Sequence, residues 1–161
     1  MKITKRQGVY IPLLMLLTAC SAGVQKDLST GLNVVNKNLT YEKSYISNNG
    51  EVLNSSAVSI GSKLKLMLEG VDGFKVENGK AFPGCSIVVT DKDGNNIMEY
   101  EDLFEQYNET GANAQDVTVL NSSLTIGDPM QAEQNYKWTT RFWDKKGEGE
   151  IITNIELDVT E

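Results

Sequence analysis

Five carboxylates fall close together at Glu99, Glu101, Asp102, Glu105 and Glu109. A suitably separated pair can hydrolyse a glycosidic bond without histidine, one as the acid and the other as nucleophile or base. The same residues also read as the solvated face of a helix opposite Leu103 and Phe104, so hydrolysis through Glu101 or Asp102 is the alternative function. Just upstream, Asp91, Asp93 and Asn95 alternate as the first ligands of a calcium loop do. That match breaks at its sixth position, Asn96 instead of glycine, and at its twelfth, Asp102 instead of glutamate. Asp93-Gly94 at a hairpin turn accounts for the same residues, so these three are weak calcium candidates and no metal or other cofactor is expected.

Other chemistry is narrowed by what the chain lacks. It has no histidine, which removes Ser-His-Asp and Cys-His catalysis and the commonest metal ligand. Cys85, in Pro83-Gly84-Cys85-Ser86-Ile87, has no local cation or helix start to lower its pKa and reads as a buried, inert thiol. Trp138 shares its strand parity with Tyr136 and Phe142 and belongs in the core. Trp143 has the opposite parity, beside Arg141 and near the reversal at Gly147. An outward indole at a sheet rim can stack on a sugar ring or anchor a protein. Packing against the aliphatic stem of Arg141 is the plainer role for it. Trp143 and Arg141 are the candidate partner or glycan contacts. The sequons at Asn38, Asn54, Asn108 and Asn121 read as polar turn clusters.

The N-terminus says where the protein resides. Lys2, Lys5 and Arg6 precede an apolar run from Val9 to Leu17, an arrangement that marks an export signal too short to span a bilayer. Leu17-Thr18-Ala19-Cys20 closes the run and resembles the lipobox of bacterial lipoproteins processed by signal peptidase II. The resemblance implies cleavage before Cys20, diacylglycerol on its sulfur and an acylated amino group. Several acyl chains would hold the protein to its membrane, since each buried methylene contributes about 0.8 kcal/mol. The resemblance also implies the outer membrane, because Ser21 stands where an inner-membrane lipoprotein of Gram-negative bacteria tends to carry aspartate. The periplasmic or surface face is left open.

Cleavage would remove three of the 15 basic residues and no acidic ones, leaving 12 against 22 and a formal charge of −10. Such a surface repels nucleic acid. With Cys20 lipidated, Cys85 has no disulfide partner. Residues 1–19 are thus expected to be the signal peptide, 20–38 a flexible lipidated tether and 39–161 one domain. The tether expectation rests on its polarity, on Gly23 and Gly31, and on the want of any sustained period.

From Leu39 onward the pattern is of strands and turns. Val58, Ile60, Leu64, Leu66 and Leu68 share a parity, as do Tyr136, Trp138, Thr140 and Phe142, and then Thr153, Ile155, Leu157 and Val159. Asn49-Gly50, Asn78-Gly79 and Asp93-Gly94 punctuate them as tight hairpin turns, and residues 145–149 form a longer reversal joining the last two strands. Tyr100, Leu103, Phe104 and Tyr107 have helical spacing and predict one short connecting helix. The sum is an all-β, antiparallel sandwich. It is similar to the immunoglobulin-like modules of bacterial lipoproteins, although the Cys…Trp…Cys mark of true immunoglobulin domains is missing. The expected function is a non-enzymatic binding or structural accessory in the cell envelope. Its partners would be the membrane, through the anchor, and an envelope protein or glycan.

Overall fold

The computed structural model describes residues 22–161. The segment 1–19 expected to be a signal peptide, Cys20 and Ser21 lie outside the described residues. The fold is an all-β, immunoglobulin-like antiparallel sandwich. Its larger sheet runs in the order β1 (Ala22–Lys26), β2 (Asn33–Lys37), β13 (Glu150–Thr160), β12 (Gln134–Asp144), β8 (Pro83–Asp91) and β9 (Asn96–Tyr100). A short β5 (Ala57–Ser59) pairs parallel with the far end of β13. The smaller sheet is β11 (Val119–Thr125), β6 (Lys63–Glu69), β3 (Lys43–Asn48) and β4 (Glu51–Val52). A two-stranded ribbon joins β7 (Lys80–Ala81) to β10 (Ala112–Asn113).

Alternation builds the core. Leu64, Leu66 and Leu68 of β6 are buried, as are Tyr136, Trp138, Thr140 and Phe142 of β12. On β13, Ile151, Thr153, Ile155, Leu157 and Val159 are buried too. Each large apolar side chain so placed contributes about 1.5–3 kcal/mol. Between the sheets, the hydroxyls of Ser122 and Thr140 pair at 3.2 Å, so these buried polar groups satisfy each other. Asn49-Gly50 and Asn78-Gly79 both take positive φ at both residues, the primed-turn geometry expected of them.

Four expectations are corrected. The tether drawn over 20–38 is, over its described part, a hairpin of the larger sheet: β1 pairs with β2, and β2 with β13. Leu32 and Val34 are 2% and 1% exposed. The Asp27 carboxylate accepts the N–H groups of Ser29 and Thr30, and Gly31 takes φ 78°, which turns the chain back. The domain therefore begins by Ala22, well before residue 39. The amphipathic helix is replaced by the end of β9 and one 3-10 turn over Glu105–Tyr107. Asp102 Oδ1 accepts the N–H groups of Cys85 and Phe104 and fastens this segment to β8 instead. Phe104 and Tyr107 still meet edge to face, 5.9 Å apart.

The run from Val58 to Leu68 is two strands in different sheets. Gly61, at φ 87°, breaks it and leaves Ile60 42% exposed. At Asp93-Gly94 only Gly94 has positive φ, which makes a three-residue hairpin loop in place of a primed turn.

Candidate binding cleft at the β13 edge

The two expected contact residues lie on the outward face of the larger sheet. Trp143 is half-buried and pairs in register with Gly84 of β8. A Cβ on Gly84 would fall 2.1 Å from Trp143 Cε2, so the indole lies on bare glycine backbone. The Arg141 guanidinium stands 4.9 Å from the ring centroid and holds Glu150 through Nε at 2.9 Å. It is the charged end of Arg141, and not the aliphatic stem expected from the sequence, that meets the ring. A concavity of about 560 Å³ opens beside them, against the 145–149 reversal.

Most polar groups of that concavity are already engaged. Lys145 Nζ makes a 2.6 Å ion pair with Asp102 and also donates to Phe104 O and Asn108 Oδ1. Asp144 is buried and accepts the N–H groups of Lys75 and Lys146. These bonds join the loops at this end of the sandwich. The sequence did not mark them, because their partners are far apart along the chain.

Two of the five acidic candidates, Asp102 and Glu99, are likewise engaged. Burial pushes the Asp102 carboxyl up, but Lys145 and the N–H groups of Phe104 and Cys85 outweigh it, holding it below the usual carboxylate value. A glycosidase acid needs the opposite shift. Glu99 accepts the side-chain amide of Asn96. Asp91 accepts N–H groups from Asp93 and Asn95 and the Asn95 amide, so its carboxylate shapes the turn. The Asn95 side chain is the main reason its carboxyl sits below the ordinary value. Cys85 is buried, and its thiol is pushed up to about 12 by that burial and then by the Asp102 charge. Among the described residues no cluster of histidine, cysteine and carboxylate has metal-binding geometry.

A larger opening, about 620 Å³, lies further along the same outward face. Its origin is a gap in strand pairing. On one side β13 pairs with β2 over 150–154 and with β5 over 158–160, so residues 155–157 have no strand partner there among the described residues. The β1–β2 turn walls one side of this notch and Ser56 the other. Lys26, Asn33, Lys137 and Glu156 line it, and their side chains bond to no described residue. Asn154 accepts from Thr139 through Oδ1 and keeps its amide donors free. Sequence reasoning missed this cleft, because a missing partner strand leaves no mark in periodicity.

What fold and cleft define is an antiparallel β-sandwich domain with an open polar notch on its larger sheet. Among solved structures it is similar to the C-terminal domain of Wzt, with a TM-score of 0.52 and 10% identity over 89% of this chain and 80% of that one. A looser likeness, TM-score 0.37 and 10% identity, links it to chicken MD-1 complexed with lipid IVa, over 87% of this chain and 99% of that one. At such identity the likeness to Wzt establishes the fold alone. No protein-family model and no curated protein matches the chain in sequence.

Proposed function

We propose that the protein is a lipid-anchored, outer-membrane binding module, without enzymatic activity, that takes a hydroxyl-rich glycan of the cell envelope in the β13 cleft. The anchor is the acylated Cys20 implied by the lipobox resemblance. The observation that carries the reading is the division of labour among the polar side chains. Asp91, Asp102, Asp144 and Lys145, the groups with the most interactions, hold loops in place. Lys26, Asn33, Lys137 and Glu156 are idle and converge on one opening.

Those idle groups suit a ligand of hydroxyls. Lysine ammonium groups donate, the Glu156 carboxylate accepts, and amides do both. A hydroxyl can answer either kind of group, and mixed charge keeps the cleft from demanding an ionic ligand. Of the two carboxylates that line the opening, Asp158 is engaged by Ser56 and Asn135, which leaves Glu156 as the acceptor for ligand hydroxyls. Trp143 contributes by packing over Gly84 and Arg141 by holding Glu150, so neither needs to touch ligand.

Calorimetric titration of the protein with polysaccharides from bacterial envelopes tests this. Lys137→Ala and Asn154→Ala should each weaken binding about tenfold, near 1.4 kcal/mol, with the melting temperature almost unchanged. Hydrolysis of any glycan, lost on Asp102→Asn, would reject the non-enzymatic reading.

A further inference from the structure

The start of β1 fixes how the domain sits on its membrane. If Cys20 carries the acyl chains, as the proposed function holds, only Ser21 separates it from the first described residue of the larger sheet. Two peptide units reach at most about 7 Å. A stalk cannot be made from that length. We propose that the sandwich is seated directly on the lipid surface by its Ala22 end, with the strands rising away from the bilayer and the β13 cleft held above it.

Strand register defines which end this is. Ala22 pairs with Lys37, Lys37 with Glu150, and Glu150 with Trp143, so these four share one row across the sheet. The loops beyond that row, 38–42, 70–79, 101–118 and 145–149, form the membrane-facing base. The turns at 27–32, 92–95 and 127–133 belong to the opposite end. Because the chain enters the sheet at the Ala22 end, an anchor two residues earlier in sequence would hold that end nearest the lipid.

The loops of the base are tied to one another, as a surface pressed on headgroups requires. Lys145 joins the 145–149 loop to Asp102, and Asp144 joins it to the backbone of Lys75. Gly149 lets Leu39 approach so closely that an added Cβ would lie 2.6 Å from its Cγ. Gly73 packs as tightly on the carbonyl of Asn38. The cleft starts higher. Lys26 is four residues along β1 from Ala22, and Asp158 is eight along β13 from Glu150. At a strand rise of about 3.3 Å, the cleft spans roughly 13–26 Å above the base row. A ligand would therefore be met at a fixed height instead of at the end of a swinging linker.

The test uses the full lipidated chain in vesicles of phosphatidylethanolamine and phosphatidylglycerol doped with headgroup nitroxide lipid. Glu148→Cys at the base and Lys92→Cys at the far end each receive a fluorophore, and buried Cys85 stays unlabelled. Quenching should be at least fivefold stronger at position 148. Inserting 20 Gly/Ser residues after Ser21, with a reach of about 25 Å, should erase that difference. Equal quenching at the two positions, or a ratio the insertion leaves unchanged, overturns the seating. Intact mass separates the two claims. An acylated Cys20 with equal quenching rejects the seating alone, whereas an unmodified Cys20 rejects the anchor and the seating with it.

Discussion

At the scale of single residues, Gly84 decides how much of Trp143 is surface. The indole can lie flat on β8 only because position 84 has no Cβ. Gly84→Ala should lift the ring and destabilise the fold by about 1–3 kcal/mol, with a red shift of tryptophan emission read in the same urea titration. Trp138 is too deeply buried to supply that shift. An unchanged spectrum would mean that the ring does not rest there. Cys85 gives a second prediction. A thiol whose pKa is pushed up to about 12 has almost no thiolate at pH 8. The native protein should resist iodoacetamide for hours at that pH and react within minutes in denaturant. Fast labelling of the folded protein would place the thiol in reach of solvent.

At the scale of elements, what the sequence reveals depends on strand length. β12 and β13 each run for 11 residues, long enough for their alternation to identify the buried face and the hairpin between them. The Leu32–Val34 pair offers only two inward residues, too few to separate a strand from polar linker. Leu32→Ala measures that difference. In a tether it would cost nothing, whereas in the core it should cost about 2–5 kcal/mol in a urea melt. The helix expected after Tyr100 had the right spacing, but spacing takes no account of Asp102, which accepts two N–H groups and turns the chain aside. Asp102 also makes this element sensitive to acid. Its carboxyl is held below the unfolded value, so its pairing with Lys145 stabilises the fold above about pH 4 and is lost as pH falls through the lower folded value. Asp102→Asn should cost about 3 kcal/mol at pH 7, and the gap to wild type in thermal melts should narrow toward pH 3.

At the scale of the whole molecule, the charge distribution decides what can hold the protein to a membrane. The processed chain would carry −10. A surface of that sign is repelled by anionic headgroups, and at physiological salt such forces fade within about 8 Å. No helix among the described residues is long and apolar enough to cross a bilayer. Under the proposed anchoring, attachment rests on the acyl chains, whose contribution comes from buried methylenes and is indifferent to ionic strength. Two arms follow from this. The lipidated protein should stay in the membrane pellet through a wash in 1 M salt and leave it only with detergent. The same chain produced from Ser21 onward should fail to sediment with vesicles containing anionic lipid, at low salt as well as high. Release of the lipidated form by salt alone would show that charge holds it. Sedimentation of the unlipidated form would show that the β surface itself grips lipid, and the anchor would then be an accessory to that contact.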